Sequence, residues 1–246
     1  MYQLEGVYWD LDGTIANTEL EAHLPAFNKA FDELGINWYW EKYTYIDLLK
    51  INGGKNRIAH FSKLNGDNFQ DSLVFQIHRK KQENYMNLIE DGKVKLNKGV
   101  FRLITELMSN NIRQFIVTSS SKAQVQLLIK KLFIDFNPFE FYVTSEDVDL
   151  VKPSPMPYLR AMDLSGIKNF NSLVFEDSIP GLKASTASNL RTICVKSNIP
   201  INFDNEKIEC LIDTFGDKTI KTRIIKGPKI VTDFITLDYL VNFLNL

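Results

Sequence analysis

Two aspartates separated by one residue, Asp10 and Asp12, follow the apolar run 6–9. Gly13 comes next and permits a sharp bend of the backbone. In such a bend, a side-chain carboxylate and a nearby carbonyl can surround one hard cation. An ordinary turn with an aspartate cap has the same residue types. The pattern alone therefore indicates either a cation-binding loop or a turn.

A cluster of hydroxyl side chains follows a second apolar run, 115–117. Thr118 is followed by Ser119, Ser120 and Ser121, where a helical pattern begins. Hydroxyl groups and the amides at a helix start form an anion site that suits phosphate oxygens. Serine is also a common N-cap, so simple capping is the alternative. Which hydroxyl would face a ligand is open by one or two residues.

A lysine and an acidic pair complete the set of polar groups. Lys152 could neutralise a phosphate or a carboxylate, or it could be a solvated lysine in a Pro-rich turn. Glu176 and Asp177 end another apolar run and suit a divalent cation. The alternative is a helix start with Asp177 or Ser178 as its cap.

All these groups fall at or just beyond the end of an apolar stretch. Strand and helix patterns alternate with short connections after residue 100, which predicts a parallel sheet with helices on both faces. In such a sheet, ligands bind outside the carboxyl ends of the strands. A carboxylate nucleophile, a hydroxyl anchor, a lysine and acidic cation ligands on one rim make a coherent phosphoryl-transfer site.

The predicted fold class is α/β, a doubly wound parallel sheet with an inserted helical cap. The core is predicted over residues 1–17 and 95–246, and the cap over 18–94, where helical patterns occur without clear strands. We predict strands at 6–9, 113–118, 139–144, 173–176 and 192–195, an edge strand at 208–212, and helices at 20–34, 69–89, 100–108, 121–133, 157–164, 179–188 and 237–244.

Three side-chain groups in the predicted cap are expected to have no chemical role. The aromatic residues between Trp38 and Tyr45 are expected to pack in its core, and His60 and His78 to lie at the surface. The basic run 79–81 is expected to form a solvated helix face.

The composition excludes several classes of function. The 246 residues carry 29 Lys and Arg against 30 Asp and Glu, a net charge of −1. This balance argues against nucleic-acid binding through bulk positive charge and against a polybasic membrane anchor. Two cysteines form neither a disulfide framework nor a metal-type motif. No long apolar run or leader pattern is seen, so we expect a cytoplasmic protein that binds neither membranes nor nucleic acid.

Taken together, the motifs resemble those of the haloacid dehalogenase superfamily of aspartate-nucleophile phosphatases and phosphomutases. The resemblance continues into the insert, which looks like the helical cap of CbbY-type sugar-phosphate phosphatases, themselves similar to β-phosphoglucomutase. It covers roughly residues 1–217. The matching stretches are Asp10-Leu11-Asp12-Gly13-Thr14, Thr118-Ser119, Lys152-Pro153 and 176–181 in the core, and Thr18-Glu19, His23, Trp40, 48–51 and 53–57 in the insert.

The resemblance implies a role for each core residue. Asp10 would be the nucleophile that becomes an aspartyl-phosphate. Asp12 would protonate the leaving oxygen and then activate water. A Mg²⁺ ion would bind Asp177, the Asp10 side chain and the Asp12 carbonyl, with Glu176 as a further ligand or a group that supports one. The phosphate would be held by Thr118, Ser119, Ser120 and Lys152, of which Lys152 would also hold Asp10.

In the insert, the resemblance implies that several residues contact the substrate. They are Glu19, His23, Gly54, Lys55 and Arg57. Each has a simpler explanation from the sequence: Glu19 could be an exposed helix acid, His23 a packed histidine and 53–57 a flexible basic turn.

The function expected from the resemblance is magnesium-dependent hydrolysis of a small sugar phosphate, such as xylulose 1,5-bisphosphate, by a monomeric enzyme. A phosphomutase similar to β-phosphoglucomutase is the alternative, because the core motifs are common to both. A non-enzymatic sugar-phosphate sensor with the same fold is a third reading.

Overall fold

The computed structural model describes residues 3–51 and 53–246 of the chain. The chain forms two compact units. Met1–Asn17 and Lys95–Leu246 make up the first, which we call the sheet unit, and Thr18–Val94 make up the second, the helical unit. The chain thus leaves the sheet unit after Asn17 and returns to it at Lys95.

The sheet unit is built on one seven-stranded sheet. Its strands are β1 (Gly6–Trp9), β2 (Arg113–Val117), β3 (Tyr142–Val143), β4 (Ser172–Glu176), β5 (Arg191–Val195), β6 (Cys210–Ile212) and β7 (Ile224–Lys226). Their order is β3-β2-β1-β4-β5-β6-β7, and all neighbours are parallel except β6 and β7, which are antiparallel. The predicted doubly wound parallel sheet is confirmed.

Helices occur in both units. Those of the sheet unit pack around the sheet, and those of the helical unit make up most of it. In the helical unit they are α1 (Leu24–Glu33), α2 (Lys42–Leu48), α3 (Gly54–Leu64) and α4 (Asp71–Glu90). In the sheet unit they are α5 (Val100–Ser109), α6 (Lys122–Leu132), α7 (Met156–Ser165), α8 (Ile179–Ala187) and α9 (Leu237–Leu244). A π-helical turn, Glu19–His23, precedes α1, and a 3₁₀ turn, Asn169–Asn171, precedes β4. Among the described residues, none of the helices has the length and apolarity needed to cross a membrane.

The central strands are buried on both sides. All four residues of β1 are buried, as are all five of β4, the continuous burial expected for parallel strands covered on both faces. On one side, Tyr8 and Val174 pack with Tyr158 and Ala161 of α7. On the other, Trp9 packs against Phe175, with a ring distance of 4.4 Å.

Two strand predictions were wrong in detail. The run 139–144 forms only the two-residue strand β3. The predicted edge strand at 208–212 is shortened to β6 and is not the edge, because β7 pairs with it. The pattern did not predict β7, which has only three residues and lies beyond the region of resemblance.

The C-terminal residues belong to the sheet unit and close it. Helix α9 forms where predicted and buries Leu240 and Phe243. Arg102 of α5 ties this region down, because its guanidinium donates to the carbonyls of Phe215, Gly216 and Ile235.

The helical unit has its own aromatic core. The expectation that the aromatic residues between Trp38 and Tyr45 pack inside was only partly right. Trp40 and Tyr45 are buried, whereas Tyr39 and Tyr43 are 70% and 83% exposed. Because α2 begins at Lys42, its outer face carries Tyr43. The buried members of this core are Phe27, Phe31, Trp40, Tyr45, Leu48, Ile58, Val74 and Ile77.

Two further expectations for the helical unit were wrong. Lys81 is only 5% exposed, although its neighbours Arg79 and Lys80 fit the predicted solvated face. On α4, Lys81 follows Ile77 by four residues and therefore lies on the same buried stripe. His78 is half-buried, since its ring lies about where a side chain on Gly54 would be.

Candidate active site

Asp10 lies at the centre of the rim formed by the carboxyl ends of the strands. It directly follows β1, which is flanked by β2 and β4. Its N–H donates to the carbonyl of Phe175 (3.0 Å), which continues the pairing with β4. The chain order reverses between β2 and β4 on either side of β1, and this switch point is where open α/β sheets bind ligands. Asp10 is 7% exposed.

Lys152 joins the acidic residues of the rim. Its Nζ donates to Asp10 Oδ1 (2.7 Å) and Glu176 Oε1 (2.6 Å), and also to the carbonyl of Val117 (2.7 Å). All three donor positions of the ammonium are therefore used. Lys152 is only 5% exposed, so the alternative of a solvated lysine is wrong.

Burial and charge act in opposite directions on these groups. Burial raises the pKa of Asp10 to about 7; Lys152 opposes this, and the charges of Glu176 and Asp12 add to it. Burial alone would lower the pKa of Lys152, but Asp10 and Glu176 raise it overall. Lys152 therefore stays protonated, and the Asp10 carboxylate is held in an environment short of positive charge.

Glu176, the last residue of β4, is completely buried. Besides the contact with Lys152, its Oε1 accepts from the Tyr158 hydroxyl (2.7 Å), and its Oε2 accepts from the Ser178 hydroxyl (3.2 Å). Gly181 in the first turn of α8 makes room for it, since a Cβ there would lie 1.9 Å from Glu176 Oε1. Glu176 is therefore fixed by a fully formed set of partners.

Asp177 lies beside the Asp10 loop. Gly13 has φ of +98°, and a Cβ at this position would lie 2.0 Å from Asp177 Oδ2. Only glycine combines this backbone conformation with so close an approach. Ser178, not Asp177, caps α8 by accepting from the Gly181 N–H (3.0 Å), and the Asp177 carboxylate lies beside Gly13.

These carboxylates form a group suited to a hard cation. Asp10, Glu176 and Asp177 each offer an oxygen within 4.8 Å of the others. Asp10 Oδ2 is buried, and among the described residues it has no hydrogen-bond partner. Three buried acidic groups against one ammonium leave an excess of negative charge. An all-oxygen donor set of this kind fits Mg²⁺ and not Zn²⁺.

The hydroxyl cluster after β2 contacts Asp12. The Ser120 hydroxyl donates to Asp12 Oδ2 (2.5 Å), and the Ser120 N–H donates to Thr118 Oγ1 (3.1 Å). Thr118 is buried and Ser119 is exposed. Ser121 caps α6 through a capping box with Gln124, so the capping alternative holds for Ser121 alone.

In the helical unit, Glu19 and His23 both lie on the π-helical turn and both have partners within that unit. The Tyr45 hydroxyl donates to Glu19 Oε2. His23 is 9% exposed, stacks on the Tyr85 ring at 4.3 Å, and its Nδ1 lies 2.6 Å from Lys81 Nζ. His23 is therefore a packed histidine in this structure, which was the simpler alternative from the sequence.

Gly54, Lys55 and Arg57 lie in the first turn of α3 and not in a flexible turn. Gly54 packs under the ring of His78. Lys55 is exposed, with its Nζ 4.9 Å from the centre of the Phe75 ring. Arg57 is half-buried, and its Nε donates to the carbonyl of Ile51 (2.9 Å).

The sequence did not point to two residues of the site. Tyr158 holds Glu176, and Asn97 donates to the carbonyls of Gly13 and Thr14. The residues around Asn97 are typical of a break in the chain, but they give no signal of a contact 84 residues away. Tyr158 follows Lys152 by six residues on an apolar helix face and gives no signal either.

Comparison with known proteins identifies the family of the chain. A family described as haloacid dehalogenase-like hydrolase matches residues 7–195. Protein CbbY of Rhodobacter capsulatus is 36% identical over 197 residues, which cover 79% of this chain and 86% of that protein. The crystal structure of CbbY from Rhodobacter sphaeroides in complex with phosphate has a TM-score of 0.78 and 30% identity, covering 87% of this chain and 96% of that one. A mutant of the same protein, in complex with xylulose 1,5-bisphosphate, has a TM-score of 0.76 at the same identity and coverage.

Proposed function

This chain belongs to the haloacid dehalogenase-like hydrolase family as a CbbY-like enzyme of the phosphatase type, and we propose that it removes phosphate from a small sugar phosphate through an aspartyl-phosphate. The observation that carries the proposal is the buried contact of Asp10 with Lys152 at the rim, next to the loop that holds Asp12. A buried carboxylate beside an ammonium and a separate acid–base group are the parts that two-step phosphoryl transfer needs.

In the first step, a carboxylate oxygen of Asp10 attacks the phosphorus, and the bond from phosphorus to the sugar oxygen breaks. Lys152 holds Asp10 Oδ1, which leaves Oδ2 for the attack. Asp12, in its protonated form, gives its proton to the leaving sugar oxygen. The hydroxyl groups of Thr118 and Ser119 donate to the phosphate oxygens, whereas the one proton of the Ser120 hydroxyl is donated to Asp12 Oδ2.

In the second step, Asp12 takes a proton from a water molecule that attacks the phosphorus of the aspartyl-phosphate. The phosphorus–Asp10 bond breaks, the Asp10 carboxylate is restored and inorganic phosphate leaves. Each step uses Asp12 in the form that the other step produces, so the cycle closes without another acid or base. The contact with Ser120 keeps the Asp12 carboxyl turned towards the rim.

The cofactor in this proposal is Mg²⁺. It would be held by the carboxylates of Asp10 and Asp177, with the Asp12 carbonyl and Glu176 as further candidates. When bound, it neutralises charge on the carboxylates and on the transferring phosphate oxygens. Glu176 already accepts hydrogen bonds on both oxygens, so we assign it mainly to holding Lys152.

We propose a sugar bisphosphate as the substrate, with xylulose 1,5-bisphosphate as the first candidate. The support is the similarity to CbbY, whose mutant has been crystallised in complex with that compound. A bisphosphate brings a second dianion besides the one that reacts. Residues of the helical unit are proposed to bind the distal part of the substrate; they are Glu19, His23, Gly54, Lys55 and Arg57.

The test is a screen for phosphate release from sugar monophosphates and bisphosphates, with Mg²⁺ and with excess chelator. We expect Mg²⁺-dependent release of one phosphate from a bisphosphate, loss of activity in chelator and recovery when Mg²⁺ is restored. Conversion of a bisphosphate and a monophosphate into one another without free phosphate would instead show a mutase. No turnover of any substrate would refute the enzyme and favour a sugar-phosphate sensor.

A further inference from the structure

The two points at which the chain passes between the units are tied together within the sheet unit. The first lies after Asn17 and the second before Lys95. Ala16 pairs with Leu96 across an antiparallel bridge, and the backbone N–H of Asn97 donates to the carbonyl of Ile15 (2.8 Å). The returning chain therefore lies directly against the end of the Asp10–Thr14 loop.

The side chain of Asn97 adds contacts that backbone pairing does not require. Its Nδ2 donates to the carbonyls of Gly13 (2.7 Å) and Thr14 (2.9 Å), and its Oδ1 accepts from Asn17 Nδ2. Two carbonyl oxygens can be bound only by the NH₂ side of an amide, so the orientation of this side chain is determined. Both donors are used on consecutive peptide groups of one loop.

Those two peptide groups belong to a loop that has little freedom elsewhere. Gly13 N–H donates to the Ala16 carbonyl (2.7 Å), and the N–H groups of Ile15 and Ala16 both donate to the carbonyl of Leu11 (3.0 and 3.2 Å). Gly13 also lies against the Asp177 carboxylate. A shift of the Gly13 backbone would change that contact and would also move Asp12, which is joined to Gly13 by the preceding peptide bond.

We propose that Asn97 is a positioning residue that holds the Asp10–Thr14 loop in its reactive conformation and links it to the two chain crossings. It acts on Asp12, which performs the proton transfers, and it does not touch the substrate itself. The consequence for catalysis rests on the proposed phosphatase function. The effect of Asn97 on the conformation of the loop does not rest on that function, and it can be measured separately.

The first experiment measures backbone hydrogen exchange in Asn97→Asp. The aspartate has the same shape, but it places a carboxylate against two carbonyl oxygens in place of two donors. We expect the amides of Gly13, Ile15 and Ala16 to exchange about tenfold faster, with no change elsewhere in the sheet. Asn110→Asp is the matched control, because Asn110 is exposed at the end of α5 and its amide donates to a helix carbonyl. Unchanged exchange of the three loop amides in Asn97→Asp would overturn the proposal.

The second experiment measures the steady-state kinetics of Asn97→Asp, relative to wild type, on two phosphate esters. For a sugar phosphate, whose leaving oxygen needs a proton, kcat should fall about tenfold to 100-fold with little change in KM. p-Nitrophenyl phosphate should lose less, because its leaving group needs little help from Asp12. Equal losses on both substrates, in proportion to the fraction of folded protein, would mean that Asn97 only supports the fold.

A second variant covers the case in which Asn97→Asp does not fold. Asn97→Ser removes both donors without adding charge, and it should show the same pattern with smaller changes. If the wild-type protein turns over neither ester, the proposed function fails, and hydrogen exchange alone decides whether Asn97 holds the loop.

Discussion

Among the described residues, each unit buries one lysine, and the two lysines have different partners. In the sheet unit, Lys152 binds the carboxylates of Asp10 and Glu176. In the helical unit, Lys81 lies 2.6 Å from His23 Nδ1 and about 5 Å from the centres of the Phe27 and Tyr85 rings. Lys152 therefore belongs to an acidic cluster, whereas Lys81 contacts an imidazole nitrogen, the Gln82 amide oxygen and two aromatic faces, the last by cation–π attraction.

The charges that act on the two units also differ. Asp10, Glu176 and Asp177 give the first cluster an excess of negative charge, which suits a cation. In the helical unit, the pKa of His78 is lowered to about 4, first by burial and then by the charges of Lys81 and Lys55, with smaller effects from His23 and Arg57. Several cations therefore act on one place in that unit. The acidic cluster is thus suited to a metal and a nucleophile, and we propose that the basic one binds an anion.

Asp10→Asn should cause the greatest loss of activity and tests the acidic cluster. It keeps the shape of the side chain but removes the attacking carboxylate, so phosphate release should fall by about 10⁴-fold or more. The protein should still fold, because burial already disfavours the charged form of Asp10. Phosphate release and thermal unfolding are measured in parallel, with the exposed Asp135→Asn as the matched control. Turnover near that of wild type in folded Asp10→Asn would show that the acidic cluster does not supply the nucleophile.

Asp12→Ala should have the next largest effect. Loss of a general acid–base group typically costs roughly 10²–10⁴-fold in rate. Stopped-flow measurement of the phosphorylation step should show a larger loss for a sugar phosphate than for p-nitrophenyl phosphate, which has a good leaving group. An equal loss in that step for both substrates would assign Asp12 to structure alone.

Arg57→Ala tests whether the positive charge of the helical unit binds the second phosphate of a bisphosphate substrate. A charge-assisted hydrogen bond contributes about 1.5–3 kcal/mol, so kcat/KM for a sugar bisphosphate should fall at least about tenfold. p-Nitrophenyl phosphate has no second phosphate and should be affected little. Arg57→Lys should restore only part of the activity, because an ammonium cannot form the bidentate contact of a guanidinium.

Arg79→Ala is the control for this prediction. Arg79 is an exposed residue of α4 whose Nε lies 3.9 Å from a carboxylate oxygen of Glu83. The substitution removes the same charge from the same unit and should leave both substrates unaffected. If Arg57→Ala slows both substrates equally, Arg57 supports the helical unit through its bond to Ile51 and does not recognise phosphate.

The smallest effect concerns pH. The folded pKa of His78, about 4, lies below its ordinary value of 6.5. The unfolded chain therefore binds a proton first, and stability that is present above pH 6.5 is lost as the pH falls towards 4. Urea unfolding followed by tryptophan fluorescence should show this loss in the wild type, by the order of 1 kcal/mol after allowance for partial exposure, and less of it in His78→Gln. The exposed His60→Gln should behave as wild type, and an identical pH dependence in His78→Gln would contradict the prediction.

The sheet unit was predictable because its reactive groups lie at strand ends. Once alternation of strands and helices predicts a parallel sheet, the residues after β1, β2 and β4 must share a rim, whatever the intervening chain does. Thus Asp10, Thr118 and Asp177 could be placed together from the sequence. The short strand β7 could not be predicted, because three residues are too few to show a periodic pattern.

The helical unit was less predictable because its contacts depend on how helices pack. His23 and Lys81 meet across 58 residues, and no local pattern specifies that pair. The burial of Lys81 did have a signal, since Ile77, Lys81 and Tyr85 recur at intervals of four on α4. The charge of Lys81 favours exposure, and its position on the helix outweighs that preference. Asn97 had no signal, because its partners are backbone carbonyls and any sequence supplies those.

The proposed mechanism depends above all on the phosphorylation of Asp10. The most direct measurement mixes excess Asp12→Ala enzyme with Mg²⁺ and p-nitrophenyl phosphate, whose leaving group needs little protonation. The mixture is quenched in acid during a single turnover, and peptide mass spectrometry determines which residue carries the phosphoryl group. Because Asp12→Ala should slow the attack of water, the intermediate should accumulate, with the added phosphoryl group on Asp10 and none in Asp10→Asn. Release of phosphate over the same period without any phosphorylated peptide containing Asp10 would show that Asp10 is not the nucleophile.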